Sequence, residues 1–252
     1  MPVSNSCAIV TGAARPWGLG RAAAFALAKR GFNLVLADLK DDWGADAAQD
    51  IAVQTGRRAV YVHTDVSSKT SVSSLVARAV QEYGRIDVLA NIAGITARVP
   101  IEQMEESAFD RLIAVNLKGT FLLCQAVIPI MRKQGGGHIV NIASGGAFQP
   151  LKRIGVYSAT KAGVVAFSKV LAWEVAADNI IVTVVAPGRV PTAMGDDNAP
   201  TEETREMATR GQPFRRANTP DEVAEVIAYA ATLESPILTG QTLHANGGAY
   251  MV

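Results

Sequence analysis

The sequence has little of what metal-dependent or disulfide-stabilised proteins require. Its 252 residues include only two cysteines and three histidines. Cys7 and Cys124 are far apart in apolar segments, which favours two buried thiols over a disulfide and indicates a reducing compartment, the cytoplasm. His63, His138 and His244 lie in separate segments without ligand spacing, so we predict no metal site.

The sequence also lacks a charge excess and a long apolar run. The formal net charge is +1, and 24 basic residues are scattered among 23 acidic ones, so we expect no nucleic acid and no anionic membrane surface as partner. Residues 1–6 do not resemble a signal peptide, and no apolar run approaches the roughly 18 residues of a membrane span. With 49% hydrophobic residues, the chain can form one large α/β domain or two small ones.

Short β-branched runs alternate with longer helical patterns along the whole chain. Because the runs are apolar throughout, they are typical of parallel strands buried on both faces, and the alternation predicts a doubly wound α/β sheet. The predicted strands are Cys7–Thr11, Asn33–Ala37, Ala59–His63, Ile86–Asn91, His138–Ala143, Ile181–Ala186 and Thr242–Ala245. The predicted helices are Arg21–Arg30, Trp43–Thr55, Val72–Tyr83, Ser107–Arg132, Val156–Ala177 and Asp221–Leu233.

One long polar segment has no clear strand character. It covers Gly195–Gln212, and together with the residues before it we interpret about 189–212 as a substrate lid that is helical in part. The segment 244–252 is apolar and could pack at a subunit interface.

A glycine-containing turn, TGAARPWGLG over residues 11–20, joins the first predicted strand to a helix. Glycines there let the backbone approach a pyrophosphate, and the helix N-terminus offers N–H groups and the positive end of its dipole. The pattern gains weight from Asp38, an acidic residue at the end of the second strand. We therefore predict a dinucleotide site that includes Gly12, Gly18, Leu19 and Gly20.

The adenosine end of this site favours NAD(H). The carboxylate of Asp38 can accept both ribose hydroxyls and would repel a 2′-phosphate, although it could instead cap the next helix. Arg15 could bind a 2′-phosphate, be solvated or stack on adenine, so NADP(H) stays open. Asp65 and Val66 follow the third strand and could hold the adenine, and Asp65 could equally cap the helix that begins near Ser67.

Three residues suggest proton transfer. Tyr157 and Lys161 are four apart on a predicted helix and so project from one face. A phenol titrates near a pKa of about 10, and a neighbouring ammonium is expected to lower it, as a general acid or base requires. Ser144 follows the fifth strand, where open α/β sheets place ligands. A tyrosine and a lysine at this spacing occur by chance in many helices. The pair therefore indicates proton transfer only together with Ser144 and the predicted dinucleotide site.

Taken in their order along the chain, the segments above and four more resemble the motifs of the short-chain dehydrogenase/reductase family, and the resemblance covers essentially the whole chain. Besides the turn and the three residues above, the matching segments are NIAG (91–94), VNLKG (115–119), PGRVPT (187–192) and TGQTLHANGG (239–248). The resemblance implies a single Rossmann-type domain over residues 1–252, a seven-stranded parallel sheet with helices on both faces, and a homotetramer. One departure is that five residues, not the usual three, separate Gly12 from Gly18. The additional pair, Pro16-Trp17, could cover the adenosine side or meet another subunit.

The resemblance also assigns site residues. The catalytic residues would be Asn116, Ser144, Tyr157 and Lys161. The dinucleotide would be bound by the turn, the ends of the second to fourth strands, the tyrosine helix and the 187–192 segment: Gly12, Arg15, Gly18, Leu19, Gly20, Asp38, Asp65, Val66, Asn91, Ala93, Gly94, Tyr157, Lys161, Pro187, Gly188, Val190 and Thr192.

The expected reaction is hydride transfer between nicotinamide and the carbon of a secondary alcohol or ketone. Tyr157 would move the proton, Ser144 would hold the substrate oxygen, and Lys161 would lower the tyrosine pKa and bind the ribose. Asn116 would support a water beyond Lys161. Two alternatives are a non-catalytic dinucleotide sensor and an epimerase or dehydratase. A sensor does not need all four catalytic residues. Epimerases and dehydratases usually carry a larger C-terminal substrate domain, for which this chain has little room after its last helix.

The substrate is less defined, and we expect a small or medium-sized alcohol or ketone. A 3-oxoacyl-(acyl-carrier-protein) reductase is the alternative, weakened because residues 134–137 and 177–179 lack the basic side chains that such enzymes tend to have there. Gly145–Ala147 leave space beside the serine, and Phe148 could form an apolar wall. Arg189 could bind a carboxylate or equally be a solvated surface residue. Three further basic residues could contact anionic groups: Arg132, Lys133 and Arg153.

Overall fold

The structure is a computed structural model that describes residues 5–192, 194 and 198–251. Part of the predicted lid, residues 193 and 195–197, lies outside the described residues. The same holds for residues 1–4, on which part of the signal-peptide interpretation depends, and for residue 252 at the end of the apolar C-terminal segment.

Seven parallel strands form one sheet in the order β3-β2-β1-β4-β5-β6-β7. The strands are β1 Cys7–Thr11, β2 Asn33–Asp38, β3 Ala59–His63, β4 Val88–Asn91, β5 Gly137–Ile142, β6 Ile180–Pro187 and β7 Thr242–Ala245. The predicted strands are thereby confirmed, with small shifts at their ends. The order reverses between β1 and β4, and ligands of open α/β sheets bind outside the carboxyl ends of the strands at such a point.

Helices cover both faces of the sheet, as predicted. They are α1 Leu19–Lys29, α2 Asp41–Thr55, α3 Lys69–Tyr83, α4 Glu106–Leu112, α5 Gly119–Gln134, α6 Gly155–Val175, α7 Glu202–Thr209 and α8 Pro220–Ala231. The pleat of β1 shows how the two cores arise: Ala8 and Val10 pack under α1 and α8, whereas Cys7 and Ile9 pack under α3 and α5.

The predicted helix over 107–132 is interrupted. Between α4 and α5 the backbone widens into a π-helical segment, Ile113–Lys118, which contains Asn116. Such wide turns in α-helices occur frequently at functional sites. Composition could not reveal it, because one π turn shifts the helical register without changing which residues are apolar.

The combined helix from Glu106 to Gln134 is long and apolar enough, by length and composition, to cross a membrane, contrary to the sequence expectation. Much of this apolar character has another cause. Side chains of α5 such as Leu123, Val127 and Met131 are fully buried against the sheet, and a core helix of this kind meets the same criterion.

Both cysteines are buried and unpaired, as expected. Burial raises the pKa of the Cys7 thiol and raises that of Cys124 to about 12. Neither is a nucleophile at neutral pH, since the thiolate is the reactive form.

Candidate active site

A cleft of about 310 Å³ opens at the carboxyl ends of the strands, from the end of β2 to the segment after β6. It is lined by every predicted dinucleotide residue except Asn91, and by Ser144. The sequence did not single out other lining residues, namely Ala37, Leu39, Lys40, Thr64, Ile92, Ile95, Arg111, Val115, Ile142, Ala143 and Met194.

The glycine turn after β1 leaves no room for side chains. Gly12 has φ +69° and donates its N–H to the carbonyl of Ala37 at 2.8 Å. A Cβ on Gly20 would lie 2.0 Å from the Gly12 oxygen, so only glycine lets α1 approach the turn this closely. Gly18 donates to the Arg15 carbonyl at 2.9 Å, which closes the enlarged loop and leaves Gly18 at the N-cap of α1.

At the end of β2, Asp38 is held by backbone groups. One carboxylate oxygen accepts the Ala14 N–H at 3.0 Å and the other accepts the Leu39 N–H at 2.7 Å. The N-cap of α2 is Lys40, not Asp38, so the capping alternative for Asp38 is wrong. The carboxylate instead ties β2 to the glycine turn and faces the cleft.

The inserted pair in the turn lies beside this end of the cleft. Trp17 packs edge-on against Trp43 of α2, with ring centroids 5.6 Å apart. The Arg15 guanidinium and the Lys40 ammonium each lie 5.8 Å from the centroid of Trp43. The insertion thus supports a cluster of two cations and two indoles next to Asp38, and it leaves Gly18 and Gly20 in place.

Asp65 and Val66 line the cleft after β3. One oxygen of Asp65 accepts the N–H of Ser67 at 2.9 Å and its hydroxyl at 2.7 Å. The N-cap of α3 is Ser68, which accepts the Ser71 N–H. Asp65 therefore shapes the turn before the helix while remaining at the cleft wall.

The side chain of Asn91 faces the core, not the cleft. It donates to the Asn141 side chain at 2.8 Å and to Cys124 at 3.5 Å, between β4, β5 and α5. Side chains alternate along a strand, so Asn91 points inward at the register where the cleft begins. The cleft wall after β4 is formed instead by Ile92, Ala93 and Gly94.

The three proton-transfer candidates come together at the end of β5. Tyr157 and Lys161 project from one face of α6 and are both buried, with 8% and 3% exposure. The Lys161 ammonium donates to the Ile142 carbonyl at 2.8 Å and lies 6.0 Å from the centroid of the Tyr157 ring. Ser144 has an extended backbone, and its hydroxyl accepts the Gly146 N–H at 3.2 Å.

The expected lowering of the tyrosine pKa by Lys161 is not found. Burial raises the pKa of Tyr157, and the Ser144 hydroxyl and the positive charge of Arg98 reduce that rise. Burial also lowers the pKa of Lys161 to about 8. In the folded chain, desolvation of both groups dominates and outweighs the effect that a neighbouring ammonium alone would have.

Asn116 is fully buried behind the cleft and does not line it. Its side-chain oxygen accepts the Ile95 N–H at 2.9 Å, and its amide donates to the Ile95 carbonyl at 3.0 Å and to the Thr160 hydroxyl at 3.1 Å. A Cβ on Gly94 would lie 3.2 Å from that oxygen and 3.4 Å from the Lys161 nitrogen. The asparagine therefore fixes the loop after β4 against the helix that carries Tyr157.

Two residues expected at the substrate end make other contacts. Phe148 packs against His244 and Tyr250, with centroids 4.6 and 6.2 Å away, and does not line the cleft. Arg189 donates to the Met207 carbonyl at 3.0 Å, which attaches the segment after β6 to α7. Tyr250 lies against Gly145, where a Cβ would come within 2.7 Å of its ring.

The residues of the cleft fit a nicotinamide dinucleotide. The glycine turn exposes backbone at a helix N-terminus, as a pyrophosphate requires, and the closeness of Gly20 to Gly12 excludes a side chain there. An acidic residue lies at the adenosine end, and a hydroxyl, a phenol and an ammonium lie at the other.

Comparison with known proteins agrees with this geometry. A family model described as Enoyl-(Acyl carrier protein) reductase matches residues 12–250. The chain belongs to the short-chain dehydrogenase/reductase family. Members of this family are oxidoreductases that act on CH–OH groups with NAD(P)(H), and this chain is such an enzyme.

The chain is similar to curated members throughout its length. It is 36% identical to 3-oxoacyl-(acyl-carrier-protein) reductase FabG of Chlamydia muridarum, over 97% of each chain. It is 37% identical to the FabG of Thermotoga maritima, over 98% of this chain and 99% of that protein.

Two solved structures have the same fold. A putative short-chain alcohol dehydrogenase from Sinorhizobium meliloti 1021 matches with a TM-score of 0.89 and 32% identity, over 98% of this chain and 97% of that one. Levodione reductase matches with a TM-score of 0.90 and 28% identity, over 98% of both chains.

Proposed function

We propose that this short-chain dehydrogenase/reductase is an NAD(H)-dependent enzyme that interconverts a ketone and a secondary alcohol. The observation that carries the proposal is the meeting of Ser144, Tyr157 and Lys161 at the carboxyl end of β5, inside a cleft with a glycine turn at its other end. The nicotinamide, when bound, supplies or accepts the hydride. Binding, orientation and proton transfer belong to the chain's own residues.

The glycine turn holds the pyrophosphate, and Asp38 selects NAD(H). Both carboxylate oxygens of Asp38 already accept backbone N–H groups, which keeps the carboxylate at the cleft wall. Each oxygen retains a lone pair for a ribose hydroxyl. A 2′-phosphate would be placed against this negative charge, although Arg15 and Lys40 nearby moderate the repulsion.

Tyr157 is the proton donor to the substrate oxygen in reduction. Because burial raises the pKa of the phenol, the protonated form dominates at neutral pH and the proton is available. Ser144 accepts the Gly146 N–H and hydrogen-bonds the Tyr157 phenol, so its hydroxyl lies beside the same substrate oxygen and can donate to it when the substrate binds. Two donors aimed at one oxygen stabilise the charge that develops on it.

Lys161 orients the ribose of the dinucleotide and returns a proton to Tyr157 after the tyrosine has donated its own. One N–H of its ammonium is used by the Ile142 carbonyl, which leaves two for ribose hydroxyls. Asn116 is a positioning residue, because its side chain binds Ile95 and Thr160. The water path that the resemblance implies would then run from its neighbourhood to Lys161.

Tyr157→Phe tests the reaction. It should lower kcat by about 10²–10⁴-fold, because the proton donor is lost, while the Kd for NADH changes by less than about threefold. Absorbance change with a panel of ketones and alcohols measures kcat, and NADH fluorescence measures Kd. Tyr229→Phe, which alters an exposed tyrosine on α8, is the matched control and should change neither. Equal losses of kcat and affinity in Tyr157→Phe would indicate a structural role.

A second candidate is reduction of a 3-oxoacyl group on acyl carrier protein. The identity of 36–37% to two such reductases over nearly full length supports it. The assay compares an acetoacetyl thioester of acyl carrier protein with the same thioester on pantetheine. A preference of tenfold or more for the carrier protein would favour this candidate, and equal rates would favour a small-molecule substrate.

We also propose one domain over the chain with a lid at about 189–212. The bond from Arg189 to Met207 couples the segment after β6 to α7, so the helix and the cleft wall would move together. Val190 and Thr192 of the same segment line the cleft. Hydrogen exchange of residues 198–209 should slow on NADH binding if α7 closes, and unchanged exchange would contradict the lid.

A homotetramer in the cytoplasm completes the proposal. On α5 and α6, Phe121, Val170 and Trp173 are 42%, 60% and 88% exposed, an apolar face of the kind that subunits bury. Light scattering of the eluted protein should give four times the 26.5 kDa chain mass, and Val170→Asp with Trp173→Asp should lower it. An elution mass of one chain would refute the tetramer.

A further inference from the structure

We infer that the substrate ketone carries an anionic group, a carboxylate or a phosphate, which Arg98 and Arg153 bind at the mouth of the cleft. The inference rests on the proposed function, since it concerns the molecule that Tyr157 and Ser144 act on. It specifies a recognition site that the catalytic residues do not include.

The two arginines are brought together by the backbone of two loops. The N–H of Val99 donates to the carbonyl of Arg153 at 2.8 Å, so the residue next to Arg98 is bonded directly to Arg153. A Cβ on Gly155 would lie 2.6 Å from the end of the Ile101 side chain, which shows how closely the same loops pack beyond that bond. Main-chain contacts therefore fix the backbone positions of the two residues relative to each other.

The pair lies beside the reacting atoms. Arg153 precedes Tyr157 by four residues, and Ile154 between them is buried against Gly146, two residues after Ser144. The charge of Arg98 is near enough to reduce the pKa of the Tyr157 phenol. The loops that carry both arginines therefore flank the residues that would hold the substrate oxygen, Tyr157 and Ser144.

Neither arginine is used elsewhere in the described part of the chain. Both are exposed, and neither forms an ion pair or a side-chain hydrogen bond there. Seven other arginines are paired with carboxylates in that same part: Arg21, Arg30, Arg58, Arg78, Arg85, Arg132 and Arg216. Both guanidinium groups are therefore available to bind an anion from outside the chain.

The backbone of Arg153 supports a binding role. Its φ is +69°, in the left-handed region that non-glycine residues seldom adopt and that recurs at ligand-binding sites. A guanidinium offers two parallel N–H donors that match a carboxylate or a phosphate, so two arginines at one mouth select anions over neutral ketones. Arg111, which lines the cleft itself, adds positive charge on the path inward.

Two sources of the anion fit this chemistry: a free keto acid, or the phosphate of a pantetheine arm that carries a 3-oxoacyl thioester. Three probes with the same acetoacetyl ketone distinguish them, namely neutral ethyl acetoacetate, acetoacetate, and S-acetoacetyl-4′-phosphopantetheine. We expect kcat/KM for at least one anionic probe to exceed that for the ester by tenfold or more. The probe that shows this preference identifies the source.

The variant Arg98→Gln with Arg153→Gln should abolish the preference, so that the ratio of kcat/KM for the anion to kcat/KM for the ester falls to about one. Arg30→Gln with Arg78→Gln removes the same charge from two arginines that do not line the cleft and should leave the preference intact. Equal kcat/KM for ester and both anions in the unaltered enzyme would overturn the inference. So would parallel losses on the ester and the anions in the Arg98/Arg153 variant.

A readout without turnover separates this inference from the proposed reaction. In the NADH-saturated protein, either anionic probe should slow phenylglyoxal modification of Arg98 and Arg153, followed by peptide mass spectrometry, whereas the ester should not. Lack of protection by both anions, or equal protection by the ester, would contradict the arginine site. Protection by an anion without turnover of any ketone would support the site and contradict the proposed reaction instead.

Discussion

The two ends of the cleft are built in different ways. At the glycine turn the wall is main chain, and a single added carbon on Gly20 would overlap the Gly12 carbonyl. At the other end, loops carry exposed side chains such as Arg98 and Arg153, which form no ion pair or side-chain hydrogen bond in the described part of the chain. The first end tolerates almost no change and defines the cofactor. The second depends on exposed loop side chains, the kind of position at which one fold can serve different substrates.

Gly20→Ala should have the largest effect, because it alters the end that tolerates least. The new Cβ would meet main-chain atoms at 2.0–3.0 Å that cannot move separately, so we expect loss of measurable NADH binding and about 1–3 kcal/mol of stability. NADH fluorescence titration and urea unfolding measure the two quantities. Gly163→Ala, whose Cβ would meet only Leu117 side-chain atoms at 3.3 Å, is the control. Retained NADH binding in Gly20→Ala would remove the distinction between the two ends.

Lys161→Met tests the buried middle of the cleft through pH. Burial lowers the pKa of Lys161 from 10.5 to about 8, so between these values the unfolded chain binds the proton that the folded chain has lost. The contribution of this lysine to the free energy of unfolding therefore rises with pH across that window, by about 3 kcal/mol.

The measurement is urea unfolding of both proteins from pH 7 to pH 10.5. The stability of the unaltered protein minus that of Lys161→Met should increase with pH. Taking the difference cancels the opposite contributions of buried phenols such as Tyr61 and Tyr83, whose pKa values burial raises. Lys169→Met changes an exposed lysine on the same helix and should give a constant difference. A constant difference for Lys161→Met as well would mean that this ammonium is solvated.

Asp38→Asn should have the smallest effect, about tenfold in the ratio of NADP(H) to NAD(H) affinity, or about 1.4 kcal/mol. Removing the charge relieves repulsion of a 2′-phosphate, and Arg15 and Lys40 beside Trp43 remain to attract it. Fluorescence titrations with NADH and NADPH give the ratio. Asp46→Asn, an exposed change of equal charge on α2, should leave it unchanged. An unchanged ratio in Asp38→Asn would refute Asp38 as the selecting residue.

Sequence reasoning succeeded where the backbone determines the outcome. The strands, their parallel order and the glycine turn follow from apolar runs and from glycine spacing, and all were found. Sequence reasoning failed where the outcome depends on the surroundings of a side chain in the folded protein. Asn91 faces the core because of its register in β4, and Tyr157 has a raised pKa because burial outweighs its neighbours. The proximity of Arg98 to Tyr157 depends on how two loops pack, which no local pattern encodes.

The placement of the three tryptophans gives the chain two separate optical reporters. Trp17 and Trp43 are in contact at the adenosine end, and Trp17 belongs to the two-residue insertion. Trp173 is 88% exposed on α6, away from the cleft. Energy transfer from the first two indoles to bound NADH should report occupancy, whereas iodide quenching of Trp173 should report subunit association. One emission spectrum can therefore follow ligand binding and assembly in the same sample, without a label.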